Sequence, residues 1–162
     1  MHISIYIIIV FLIITYIYSY YRYPSYTEIL QVDYKYFNFD SIYQKQPIVI
    51  ENKSIPIEDI IKDNFNLNIV SKSFNISDTS HDIWYKNKFK YLLIQCIQDG
   101  EILLYPAIKK MTSTGIPDPE ESLIAIKLST GQLLIIPFHW HYLIKTEVVY
   151  YGIHDYISYI LP

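Results

Sequence analysis

The chain reads as three hydrophobic patterns in succession. From Ile3 to Tyr21 the sequence ISIYIIIVFLIITYIYSYY carries no charged side chain. At about 1.5 Å per residue such a run crosses a bilayer as a helix, and β-branching is no obstacle where the backbone must bond internally. Tyr16, Tyr18, Tyr20, Tyr21 and Tyr23 crowd its distal end, followed by Arg22 as a cationic stop, in the manner of an interfacial belt. Tyr23 to Asp40 mixes aromatic and polar residues and reads as a tether, with Pro24 ending the helix and a strand expected over Leu30–Phe39. From there on the apolar runs shorten to strand length.

Within this third region, Phe39–Gln46 suggests a short helix and Pro47–Ile50 a strand. Ser54–Asn64 predicts an amphipathic helix, with Pro56 in the first turn, Glu58 and Asp59 at the N-terminus, and Ile57, Ile60 and Ile61 on one face. Leu67–Phe74 alternates as a strand, Asn75–His81 is polar loop, and Ile83–Phe89 starts another strand. Tyr91–Tyr105 predicts a hairpin turning at Asp99-Gly100. Lys109–Glu121, with Gly115, Pro117 and Pro119, is a surface loop. Leu123–Leu128 and Leu133–Ile136 flank the turn pair Thr130-Gly131, and Pro137 belongs at a strand end. Two last strands are expected at Glu147–Tyr151 and Tyr156–Leu161, around Gly152. About eight short strands and one or two helices imply a mostly β, jelly-roll sandwich, with Leu104, Ile126, Leu134 and Ile136 in its core. The chain divides into an anchor at 1–22, a tether at 23–39 and a domain at 40–162.

Composition sharpens this picture. Ile makes up about a fifth of the chain and Tyr occurs 18 times, against 4 Gly, a balance that favours pleated surfaces. The same bias suits an AT-rich genome, such as that of a large DNA virus. With 13 Lys+Arg against 16 Asp+Glu, no basic patch points to nucleic acid. The first run lacks the basic start and small-residue cleavage site of a signal peptide, which favours an uncleaved single-pass anchor. Arg22, beyond its end, nominally places the domain in the cytoplasm. Cys96 is the only cysteine, so no internal disulfide forms, and its neighbours Ile94 and Ile97 suggest a buried thiol. Asn52-Lys53-Ser54 and Asn75-Ile76-Ser77 fit the glycosylation pattern.

Few residues offer chemistry. A phosphate-binding loop is excluded by the scarcity of glycine. Glu120-Glu121 and Glu58-Asp59 sit where carboxylates are normally solvated. The densest cluster of potential ligands is His139, Trp140, His141 and Tyr142. On a strand, His139 and His141 would share a face and Glu147 lies downstream as a third ligand; the competing reading is a polar patch at a strand end. His2 and His154 sit alone.

Three ordered stretches resemble the cupin-like family that contains the JmjC hydroxylases. Gly131–Tyr142, GQLLIIPFHWHY, is similar to its G-D-x-x-x-I-P-x-x-W-x-H; Tyr91–Pro106, YLLIQCIQDGEILLYP, to its N-x-x-x-Q-x-x-G-x-K-x-x-x-L-[FY]-P; and Gln46–Ile50 to its R-P-V-V-I. Together they cover about Asp40 to Tyr159. The resemblance implies a jelly roll and, in active members, Fe(II) held by two His and one carboxylate, with 2-oxoglutarate anchored by a basic side chain. In the ungapped register the H-x-[DE] pair falls on Tyr85 and Asn87, the lysine on Gly100, and the distal His on Tyr142; a one-residue deletion would place His141 there instead. His81-Asp82 lies nearby with adjacent rather than alternating spacing. The expectation is a degenerate member with no cofactor and no metal, Tyr85, Trp140 and Tyr142 filling the interior, and a binding or structural role at a membrane with a protein partner. Two alternatives stay open: a hydroxylase using Fe(II) and 2-oxoglutarate through relocated ligands, and a small-molecule-binding cupin using His139 and His141.

Overall fold

The structure, a computed structural model, describes residues 2–23, 27–52, 55–75, 83–106, 108–109, 111–112, 116–118 and 123–160. The apolar run forms one helix, α1 (His2–Tyr21), long and apolar enough over Ser4–Tyr21 to cross a membrane. The domain follows as β1 (Leu30–Val32), α2 (Phe39–Tyr43), β2 (Ile48–Ile50), α3 (Ile57–Phe65), β3 (Ile69–Asn75), β4 (Tyr85–Lys86), β5 (Tyr91–Cys96), β6 (Gly100–Tyr105), β7 (Ile124–Leu128), β8 (Leu133–Pro137), β9 (His141–Ile144), β10 (Val148–His154) and α4 (Tyr156–Ile160).

The strands form two sheets, ordered β1-β2-β8-β5-β10-β3 and β4-β9-β6-β7. From β3 to β6, and from β7 to β10, each successive strand changes sheet. Leu92, Ile94, Leu134, Ile136 and Val148 of the larger sheet meet Ile102, Leu104, Ile126 and Leu128 of the smaller one between the layers. Leu104, Ile126, Leu134 and Ile136 are all buried there, as the sequence pattern requires. Cys96 joins the same core, and burial pushes its thiol up to about 11. The opposite face of the larger sheet carries Ile48, Ile50, Leu93, Leu133, Ile135 and Ile153, and is covered by Ile42 of α2 and by Ile57, Ile60 and Phe65 of α3. The larger sheet is therefore apolar on both faces, which accounts for the unbroken burial of β2 and β8.

Several expected elements take a different form. Tyr91–Tyr105 is not a hairpin: β5 and β6 lie in different sheets, and the residues between them carry the chain across the sandwich. The reason is two-sided burial. Tyr91 and Leu93 pack on the helix side while Leu92 and Ile94 pack between the sheets, so β5 takes a central place between β8 and β10. The Thr130-Gly131 turn likewise joins strands of opposite sheets, with Gly131 supplying a φ of 82°. Asp99 Oδ1 accepts from the Thr130 amide (2.6 Å) and hydroxyl (2.9 Å), clipping the two crossings together.

β10 runs through Gly152 as one strand, and Tyr156–Ile160 is helical rather than extended. A reciprocal cap sets that helix: the Ser158 amide donates to Asp155 Oδ1 (2.7 Å) and the Asp155 amide to Ser158 Oγ (3.0 Å). The Leu30–Phe39 strand is cut to β1 by Asp33, whose carboxylate accepts from the Lys35 amide and opens a 3-10 turn. Pro56 caps α3 from outside instead of sitting in its first turn. Most of the Asn75–His81 loop, and Gly115 and Pro119 of the later loop, lie outside the described residues.

Candidate functional site

Strand register decides which side chains face the interior. Tyr85 of β4 lies opposite Tyr142 of β9, and Tyr142 lies opposite Leu104 of β6. Directly opposed residues share a face, and Leu104 belongs to the inter-sheet core. Tyr142 therefore points inward, while Lys86, His141 and Tyr105 point to the other side. Of the two candidates for the distal-His position, Tyr142 is thus the inward residue and His141 the outward one. The Tyr142 ring stacks on Tyr85 with centroids 5.8 Å apart, and burial pushes its phenol up to about 12. Trp140 is fully buried in the inter-sheet core, as expected, but Tyr85 is 47% exposed. It sits at the rim rather than filling the interior, because β4 is a two-residue edge strand.

Asn87, where the resemblance would place the metal-binding acid, is 1% exposed. Its Nδ2 donates to the carbonyls of Ile136 (2.9 Å) and Pro137 (2.8 Å), and its Oδ1 accepts from the Phe89 amide (2.9 Å). Its own amide donates to the Trp140 carbonyl, and its carbonyl accepts from the His139 amide. Asn87 thus ties the end of β8 to the chain between β4 and β5 through donors that a carboxylate lacks. Gly100, at the lysine position, is equally closed: a Cβ there would lie 2.2 Å from Thr146 Cβ. Asn87, Gly100 and Tyr142, at the positions that the resemblance would assign, offer no carboxylate, lysine or imidazole to Fe(II) or 2-oxoglutarate. His81 and Asp82 lie outside the described residues.

His139 and His141 do not form the expected strand pair. His139 precedes β9 in a turn with φ 73°, so strand alternation does not govern where its ring goes. Its ring is buried against Phe138 (centroids 3.8 Å), Tyr23 (5.0 Å) and Tyr21 (6.1 Å), whereas His141 lies beside Tyr105 (6.1 Å). Both Nδ1 atoms are buried without a hydrogen-bond partner among the described residues. Glu147 follows the far end of β9, where its carbonyl accepts from Ile97. Among the described residues no three His, Cys, Asp or Glu side chains converge as a metal shell.

Burial, then Lys86 and Lys45, hold His139 down at about 4; burial and Lys86 lower His141 as well. The unfolded chain therefore takes up protons at these rings before the folded one does. Domain stability should hold above about pH 6.5 and fall as pH drops toward 4, by on the order of 1–2 kcal/mol. Thermal melts followed by tryptophan fluorescence across that range, with His139→Phe flattening the slope, would check this.

A second site lies where α1 meets the domain, and sequence reasoning missed it. Lys45, in the left-handed region at φ 56°, sends its Nζ to the carbonyls of Ser19, Tyr20 (2.7 Å) and Arg22 (2.8 Å), capping α1. Helix C-termini leave such carbonyls unpaired and favour cations, but nothing in the spacing links Lys45 to a helix so far upstream. Burial, then Arg22 and Lys90, lower Lys45 to about 8. Tyr20 stacks on Phe138 at 4.5 Å, and Lys90 reaches both Tyr16 Oη (3.3 Å) and Asp155 (2.5 Å). A cavity of about 220 Å³ between Tyr16, Tyr20, Tyr43, Tyr91 and Phe138 marks this junction. The chain matches no protein-family model, none of the curated proteins and none of the solved structures.

Proposed function

We propose that this chain is a membrane-anchored, cupin-like (JmjC-like) jelly roll that has lost its iron and 2-oxoglutarate positions to packing and works as a binding or structural module for a protein partner. The fold reading is supported by strand order. The order β3-β10-β5-β8 facing β4-β9-β6-β7, with the chain passing repeatedly between the layers, fits the winding expected of an eight-stranded jelly roll, to which β2 and β1 add an edge. The anchor reading is supported by the length and uniform apolarity of α1. The loss of catalysis rests above all on Asn87, whose side chain is engaged on three backbone groups where an active relative needs a free carboxylate.

The test is metal and turnover. Full-length protein, loaded with Fe(II) anaerobically in detergent, should hold well under one iron per chain and release no succinate from 2-oxoglutarate. Stoichiometric iron with turnover that disappears in His141→Ala would replace this reading by the hydroxylase. The unpartnered Nδ1 atoms of His139 and His141 favour a second reading, a small-molecule-binding cupin. Metal retained without turnover, and lost in His139→Ala, would select it.

A further inference from the structure

We propose that the domain does not hang free from its anchor: the end around α1 is seated in the interfacial layer of the bilayer, with Tyr43 and the exposed side of α4 among the lipid headgroups. This rests on α1 crossing the membrane.

The first argument is length. Ser4–Tyr21 spans about 27 Å at 1.5 Å per residue, no more than a hydrocarbon core of about 30 Å requires. Yet its last turns already touch the domain. Tyr16 meets Lys90, Tyr20 is 7% exposed against Phe138, and the carbonyls from Ser19 to Arg22 are held by Lys45. From Tyr16 to Arg22 the helix rises about 9 Å, comparable with the headgroup layer on one side of a bilayer. A helix that uses its full length in the bilayer therefore draws the domain's docking end down into that layer.

The second argument is the surface found there. Lys90 bridges Tyr16 and Asp155, and Asp155 caps α4, so α4 lies beside α1. α4 turns Tyr156, Tyr159 and Ile160 outward at 71%, 61% and 74% exposure, and Tyr43, on the wall of the junction cavity, is 68% exposed. Tyrosine favours the level at which a ring meets acyl chain and its hydroxyl meets water. The opposite end of the sandwich, about five residues along β5, exposes no tyrosine among the described residues there: Gln98, Asp99 and Thr130 face outward beside Ile97.

The experiment uses full-length protein in vesicles of mixed phosphatidylcholine and phosphatidylglycerol. A nitroxide is placed at Ile8→Cys, Tyr156→Cys, Tyr159→Cys, Tyr43→Cys or Gln98→Cys, one at a time, and its collisions with oxygen and with a water-soluble nickel chelate are measured. Cys96 is buried and its thiol stays protonated, so it escapes labelling. Labels at Tyr43, Tyr156 and Tyr159 should meet nickel several-fold less than the label at Gln98, and the label at Ile8 should be the most protected. If the first three collide with nickel as Gln98 does while Ile8 stays protected, the seat is overturned and the anchor stands. If Ile8 is itself open to nickel, the membrane-spanning reading fails and the seat with it.

Discussion

Replacing Trp140 by alanine should cost the domain about 3–5 kcal/mol, the range for a fully buried indole. Trp140 is the largest side chain fully shielded from solvent. It packs with the inter-sheet core, and its Nε1 donates to the Lys45 carbonyl (3.3 Å). Its removal would open a cavity between the layers and loosen the residue that caps α1. Trp140→Phe should restore most of the loss, leaving about 1 kcal/mol for the missing hydrogen bond. Urea titration of the full chain in detergent, followed through Trp84, would measure both. A loss under about 1 kcal/mol for the alanine variant would contradict the packing described.

The second large effect is expected from a chemically modest change at a buried amide. Asn87→Asp removes both donors to the Ile136 and Pro137 carbonyls and sets a carboxylate against them in a site 1% exposed. The two lost hydrogen bonds and an unpaired buried charge should cost at least about 3 kcal/mol at neutral pH. Burial and the facing carbonyls raise the introduced carboxyl above the ordinary aspartate value of about 3.9. The penalty should then shrink as pH falls toward that value, since the folded state binds the proton more tightly. The same urea titration at two pH values reads this, and iron binding should not appear. An unchanged midpoint, or a larger penalty at low pH, would show that Asn87 is not the clamp described.

The strand-forming segments were legible because the core is repetitive in chemistry: Leu133–Ile136 and Tyr91–Ile94 are apolar at nearly every position, and only a strand buried on both faces uses such a run well. Which sheet each segment joins was not legible. Asp99-Gly100 and Thr130-Gly131 are hairpin dipeptides by local chemistry, but burial on both sides of β5 and β8 overrode them. α4 was misread because Tyr156–Leu161 has strand-like composition and its helix is set by a cap, Asp155 to Ser158, within a short apolar stretch. At the candidate site, counting from the motifs singled out Tyr85, Asn87, Gly100 and Tyr142, of which Asn87 is buried and hydrogen-bonded and Tyr85 lies at the rim. It could not foresee the contacts that now occupy them, since Thr146 and Pro137 come from distant stretches of chain.

The winding of the strands also sets an order of events during synthesis. Among the described residues β3 pairs only with β10, Ile69 meeting His154, and β5 takes β10 as one of its two neighbours, Tyr91 meeting Ile153. Until β10 has left the ribosome, β3 has no ladder and one side of β5 is open, while α1 has long since emerged. Few consecutive strands pair, so closure must overcome the loop entropy of distant contacts, as in other slow-folding β topologies. The sandwich therefore closes last, when β10 arrives between strands made long before it, and against a helix made first.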